Sequence, residues 1–138
     1  MNFTHLHVHS HYSLLDGMSK VNEIVDKCIA SGMNAVALTD HGNMYGIKEL
    51  LDYCKKINKK RKEEQLPAFK PIVGVETYCA RRGRFSKCDD KAVNAEGRSY
   101  VIDRSGWHLI LLAKNKVGYH NLCRIVSASF MADAYYHT

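Results

Sequence analysis

Apolar and polar residues alternate between Phe3 and His9, the two-residue period of a strand, and a glycine-containing turn signal follows at Leu15-Asp16-Gly17. This pattern predicts a first strand that ends near Ser10. From Ser19 the period changes. Val21, Ile24, Val25, Cys28 and Ile29 recur at helical spacing, with Ser19 placed to cap the helix and Gly32 placed to end it. The apolar run Ala35-Val36-Ala37-Leu38, between Asn34 and Thr39, has the length of a second strand. Ile47, Leu50, Leu51 and Cys54 then mark one face of a second helix. Lys70 to Cys79, carrying Ile72, Val73 and Val75, reads as a third strand. Trp107 to Ala113 reads as a fourth, ahead of a helix bearing Leu122, Ile125 and Val126, and the polar stretch Arg81 to Gly106 between them reads as a loop.

The order β-α-β-α-β-loop-β-α implies α/β architecture, with parallel strands joined by right-handed crossovers. Four strands suit a small open sheet or the opening half of a β/α barrel, and periodicity does not separate the two. A length of 138 residues holds at most one domain, so residues 1–138 are expected to be one domain or part of one. No internal repeat or low-complexity segment is present. The closing residues, Ala132-Asp133-Ala134-Tyr135-Tyr136-His137-Thr138, carry no Gly or Pro stop signal, so the chain is expected to be cut rather than finished.

Composition narrows the class. Hydrophobic residues at 46% and charged ones at 25% suit a folded chain, and no apolar run approaches the roughly 18 to 20 residues that span a bilayer. The start, Met1-Asn2-Phe3-Thr4-His5-Leu6-His7, lacks the basic and unbroken apolar regions of a secretory signal, so Met1 is expected to be a true cytoplasmic amino terminus and disulfides are not expected. Cys28, Cys54, Cys79, Cys88 and Cys123 are odd in number and contain no Cys-x-x-Cys pair, which argues against a zinc ribbon or a redox motif. Twenty Lys plus Arg against fourteen Asp plus Glu give +6, a balance that favours phosphate-bearing partners without specifying chemistry. Lys55-Lys56 and Lys59-Lys60-Arg61-Lys62, followed by Glu63-Glu64, read as a solvated helix end in preference to a DNA tract.

The chemistry concentrates in histidine. Of eight, His5, His7, His9 and His11 are spaced by two, which on an extended strand places them on one face. Imidazole is the commonest transition-metal ligand near neutral pH, and His7 with His9 is the natural pair. A solvated polar face or an expression tag is the plain alternative; a tag would be contiguous, and Leu6 and Val8 on the other face argue for a buried strand. Thr39-Asp40-His41-Gly42 follows the second strand, Glu76 ends Val73-Gly74-Val75-Glu76, and Asp16 sits in the first βα loop. The carboxyl ends of parallel strands collect the working groups, so these positions converge. Singly, each has another reading: Asp40 as a cap of the second helix, His41 as a turn residue, Glu76 paired with a surface Lys. His108 opens the fourth strand, the end away from the site if that strand is parallel. Histidines with carboxylates and no thiolate pair suit zinc, manganese or iron, and their number implies more than one ion. Metal-assisted phosphoester hydrolysis is the reaction implied.

Five segments closely resemble the amino-terminal PHP (polymerase and histidinol phosphatase) domain of bacterial DNA polymerase III alpha subunits. They are His5-Leu6-His7-Val8-His9-Ser10-His11-Tyr12-Ser13-Leu14-Leu15-Asp16-Gly17, Thr39-Asp40-His41-Gly42-Asn43, Lys70-Pro71-Ile72-Val73-Gly74-Val75-Glu76, His108-Leu109-Ile110-Leu111-Leu112-Ala113 and Gly118-Tyr119-His120-Asn121-Leu122. The first indicates the PHP superfamily, whereas Tyr12-Ser13 to Gly17 and Gly118 to Leu122 point to the replicative polymerase branch. The resemblance implies a distorted seven-stranded β/α barrel, of which this chain is the first half, with up to three metal ions. It carries ligand roles onto His7, His9, Asp16, His41, Glu76 and His108. Asp40 becomes an orienter of its neighbour, so that Asp40 and His41 form the pair expected to serve catalysis. The family's later ligands, a Cys or His and then an Asp-x-His pair, have no counterpart here, and Arg81 to Gly106 looks like a lineage-specific insertion. Arg81, Arg82 and Arg84 border the expected site and are candidates for steering a DNA backbone towards it.

The resemblance implies a 3′-5′ exonuclease or related phosphoesterase beside the modules of a DNA-directed polymerase in the cytoplasm. Its implied partners are DNA and other replicase subunits: sliding clamp, proofreading exonuclease and clamp loader. Two other readings stand beside it. One is a non-catalytic scaffold that braces the polymerase and docks a proofreading subunit, and the other is a stand-alone histidinol-phosphatase-like hydrolase. Half a barrel has an open edge and an uncovered face, so the piece alone is expected to be marginal, oligomeric or aggregation-prone, probed as a fragment with weakened metal affinity and no activity.

Overall fold

The computed structural model describes residues 3–79, 90–103 and 107–131. Eight elements follow in order: α1 (Val21–Ala30), β1 (Ala35–Leu38), α2 (Ile47–Glu63), β2 (Lys70–Cys79), β3 (Asp90–Val93), β4 (Ser99–Asp103), β5 (Trp107–Leu112) and α3 (Lys116–Ser129). The fold is mixed α/β. A three-stranded sheet has the order β1-β2-β5, and β3 and β4 form a separate antiparallel pair.

Helical periodicity in the sequence becomes one packed core. Val21, Val25 and Cys28 of α1 and Ile47, Leu50 and Cys54 of α2 are buried against Val36 and Leu38 of β1 and against Phe69. Each such side chain contributes roughly 1.5–3 kcal/mol through the apolar surface it takes from water. Helix α1 begins one residue later than a Ser19 cap requires. Lys20 is the N-cap residue and its N–H donates to the Glu23 carboxylate at 3.2 Å, so Glu23 serves the first turn in place of the serine. Gly32 follows the last turn, with its N–H donating to the Ile29 carbonyl at 2.9 Å.

Three expectations from the sequence need correction. Phe3 to Ser10 is not a strand: it makes an isolated parallel bridge, His5 with Val36, and Leu6 is half exposed. The segment lies at the edge of β1, where it is paired on one side at most. Arg81 to Gly106 is not all loop, because its described part, 90–103, is a hairpin. The Asn94 side-chain oxygen accepts from the N–H groups of Glu96 and Arg98 at 3.1 and 2.8 Å, closing the turn between two short strands. The sheet is also not wholly parallel. β1 runs parallel to β2, pairing Ala35 with Lys70 through Leu38 with Val73, but β5 runs antiparallel to β2, pairing Gly74 with Leu112 through Cys79 with Trp107. The physical reason is the connection: among the described residues a hairpin, and no crossover helix, separates β2 from β5.

Candidate metal centre

Backbone pairing brings the histidine segment to the carboxyl end of β1. The Ala37 N–H donates to the His5 carbonyl and the Thr39 N–H to the Val8 carbonyl, both at 2.9 Å, while the Val8 N–H donates to the Thr39 hydroxyl at 3.0 Å. With Val8 packed on the core, the flanking His7 and His9 project from the opposite face. The chain then turns back so tightly that a Cβ on Gly17 would lie 2.2 Å from the Ser10 carbonyl oxygen. Only glycine permits that approach, and it sets the neighbouring Asp16 beside His9.

Beyond Leu38 the β1–β2 pairing resumes as a single parallel bridge between His41 and Glu76. The Glu76 N–H donates to the Asp40 carbonyl at 3.2 Å and the Gly42 N–H to the Glu76 carbonyl at 2.9 Å, with Gly42 at a φ of +65°. Since β5 is antiparallel, its first residues lie beside the end of β2, and His108 falls opposite Tyr78. The strand direction that corrects the parallel-sheet expectation is thus what delivers His108 to the site.

Glu76 is the centre of the arrangement. Its side chain is only 3% exposed, and four imidazoles approach its two oxygens. Oε2 lies 2.9 Å from His9 Nε2 and 2.9 Å from His41 Nδ1. Oε1 lies 2.7 Å from His108 Nδ1 and 3.6 Å from His7 Nε2. Asp16 pairs with His9 Nδ1. Burial alone would raise the Glu76 carboxyl; hydrogen bonds from His41 and His108, with the charges of His9 and His41, outweigh it and hold the group below its ordinary value. Tyr78 walls the site, its ring 5.1 Å from that of His41 and 4.7 Å from that of His108.

The donor set fits divalent cations. The ligand atoms of His7, His9 and Glu76 all lie within 4.8 Å of one another, and so do those of Asp16, His41 and Glu76. A tetrahedral ion with bonds of roughly 2.0–2.1 Å separates its ligands by about 3.3 Å. His7 Nε2 and His9 Nε2 are 3.0 Å apart, near that figure, and each faces a different Glu76 oxygen, His7 at 3.6 Å from Oε1 and His9 at 2.9 Å from Oε2. Two facing imidazole nitrogens also need a proton or a cation to offset their lone-pair repulsion. Glu76 belongs to both groups, so a single carboxylate can bridge two ions.

The six residues to which the resemblance assigns ligand roles, His7, His9, Asp16, His41, Glu76 and His108, therefore meet at one place. His5 packs edge-on against Phe3 and His11 lies over Tyr12, and neither joins the cluster. Asp40 does not cap α2, whose N-cap residue is Gly46; it is buried and accepts from Ser10 and Ser13. Arg81, Arg82, Arg84 and Cys88 lie outside the described residues. Ser10, Ser13 and Thr39 stand in the sequence motifs without a site role, and Tyr78 has none either. The i, i+3 spacing of Ser10 and Ser13 around the turn was the available signal, and it is a common one.

The family model of the PHP domain matches residues 5–138. The chain is 40% identical over 134 residues to a protein named DNA polymerase III subunit alpha from Borreliella burgdorferi, covering 97% of this chain and 10% of that protein. It is 40% identical over 136 residues to one of the same name from Treponema pallidum, with 99% and 10% covered. It is 36% identical over 135 residues to one from Campylobacter jejuni, with 98% and 9% covered. The chain belongs to the PHP domain family. It spans about a tenth of the length of these relatives, all named DNA polymerase III subunit alpha.

Proposed function

We propose that the cluster around Glu76 is the metal centre of a phosphoesterase, a 3′-5′ exonuclease acting on DNA, within a DNA polymerase III alpha chain. One observation carries the reading: six donor side chains from four separate segments form one cluster, with the buried Glu76 carboxylate at its centre and five others around it. His7, His9 and Glu76 hold one ion and Asp16, His41 and Glu76 a second, while His108, on Glu76 Oε1, completes the ligands of this part. Zinc, manganese or iron suits these donors, with up to three ions in a complete domain. Such ions, when bound, polarise a phosphoryl oxygen and lower the pKa of a coordinated water. Glu76 fixes the spacing of the two groups of ligands. His41 serves the reaction directly, and Asp40 serves it through its neighbours, since its carboxylate is sealed from solvent.

The complete domain on this reading is a distorted seven-stranded β/α barrel that includes β1 and β2. The parent is a cytoplasmic DNA-directed DNA polymerase, a nucleotidyltransferase of replication, and its partners are DNA, sliding clamp, proofreading exonuclease and clamp loader. Arg81, Arg82 and Arg84 guide the DNA backbone to the metals, an idea that binding unaffected by their change to Ala across a salt series removes. The test of the main reading is degradation of 3′-labelled single-stranded DNA by the complete protein in Mn²⁺ or Zn²⁺. Glu76→Gln and His9→Ala are expected to lower hydrolysis at least about 100-fold while primer extension stays within about twofold. Bound metal with no hydrolysis in the parent protein sinks the enzyme reading and leaves the scaffold.

A further inference from the structure

We infer that Ser10 and Ser13 are positioning residues of the metal centre: their hydroxyls, clamped on the buried Asp40 carboxylate, set where His9, Asp16 and His41 stand relative to Glu76. The inference rests on the metal-centre reading above. Ser10, Ser13 and Asp40 are each 0–1% exposed, and every polar side-chain atom among them is engaged. Asp40 Oδ1 accepts from the Ser10 N–H at 2.6 Å, the Ser10 hydroxyl at 3.0 Å and the Ser13 hydroxyl at 2.8 Å; Oδ2 lies 2.9 Å from the Ser10 hydroxyl.

Ser13 is the hub. A hydroxyl has one proton to give and lone pairs to receive, and Ser13 uses both kinds. While its hydroxyl donates to Asp40, its oxygen accepts from the His41 N–H at 3.0 Å. Its backbone carbonyl accepts from the N–H groups of Asp16 and Gly17 at 3.1 and 2.9 Å, and its own N–H donates to the Ser10 carbonyl at 2.9 Å. One residue thus ties the segment that ends at His9, the turn that carries Asp16 and the loop that carries His41. No atom of Ser13 belongs to either group of ligand atoms. A brace needed only for the fold would not have to connect three ligand-bearing segments. Outer partners of this kind, when removed, cost about 10–100-fold in metal affinity.

The experiment is a Co²⁺ titration of the complete protein read by its visible absorption band, in the parent, Ser13→Ala, Ser13→Thr and Leu50→Ala, the last a core variant outside both groups of ligands. Ser13→Ala is expected to bind Co²⁺ about tenfold more weakly with a shifted band, and Ser13→Thr, which keeps the hydroxyl, to recover to within about threefold. Leu50→Ala is expected to melt earlier with affinity and band unchanged. Parent-like affinity and band in Ser13→Ala, or an equal affinity loss in Leu50→Ala, overturns the inference. If the parent binds no Co²⁺ the metal-centre reading fails, and hydrogen-deuterium exchange of the metal-free protein then decides the positioning role. Exchange at least about tenfold faster in the peptide spanning His41 of Ser13→Ala, with α1 unchanged, upholds it, and unchanged exchange there overturns it.

Discussion

At Glu76 two opposing effects meet in one side chain: removal from water penalises its charge, and imidazoles at both oxygens restore it. The turn that sets Asp16 beside one of those imidazoles, His9, depends on Gly17. Gly17→Ala places a methyl against the Ser10 backbone and is expected to cost about 1–3 kcal/mol in urea unfolding, because a backbone atom cannot swing aside as a flexible side chain does. Thiols give a second residue-scale prediction. Burial pushes the Cys54 thiol up to about 11, whereas Cys79 is exposed. Iodoacetamide on the native chain is expected to label Cys79 well before Cys54. In the unfolded chain the Cys54 pKa is about 8.5, so its contribution to stability is complete below that pH and is lost as pH climbs to about 11. Midpoints of unfolding at pH 7.5 and 10 check the sign. His7, His9, Asp16, His41 and Glu76 were legible in the sequence because metal-binding residue types sat where parallel strands end. Ser10 and Ser13 were not, since their partner Asp40 is 30 and 27 positions away and serine carries no chemical signature of its own.

Among elements, α1 and α2 share the packing duty, each burying three side chains in one core. Leu50 is 1% exposed in the cluster that joins α1, α2 and β1, and Leu50→Ala is expected to cost about 2–5 kcal/mol by leaving a cavity between them. Guanidinium unfolding measures it, and a change under about 1 kcal/mol contradicts the packing account. Helices and both central strands could be read from period and punctuation. The edge segment could not, because alternation reports a half-buried surface and says nothing of how many neighbours pair with the backbone. Strand direction was hidden for a related reason. It follows from whether a helix or a hairpin fills the connection, and two strands of four and five residues with polar flanks give too short a period to see. His108 was therefore assigned to the wrong end on geometry and reached the cluster only through the resemblance.

For the molecule as a whole, the apolar surface is incompletely covered among the described residues. Trp107, Leu109, Val117, Ile125, Phe130 and Met131 are all at least 45% exposed. Such a surface favours self-association, so the 138-residue chain on its own is expected to bind a hydrophobic dye and to sediment as more than a monomer. A sharp monomeric melt at high temperature contradicts this. Metal binding acts at the same scale: a ligand present at 100 times its Kd adds about 2.7 kcal/mol to the native state, so chelation is expected to lower the melting temperature of the complete protein and to leave a Glu76→Gln variant nearly unmoved. Every role proposed for this site requires cations held between the histidine segment and Glu76. An anomalous difference map of crystals of the complete protein grown with Mn²⁺ tests this most directly. The expected map has a peak within about 2.0–2.3 Å of a Glu76 oxygen and an imidazole nitrogen of His7 or His9. A map without density there, and with His7 and His9 turned away from Glu76, contradicts it.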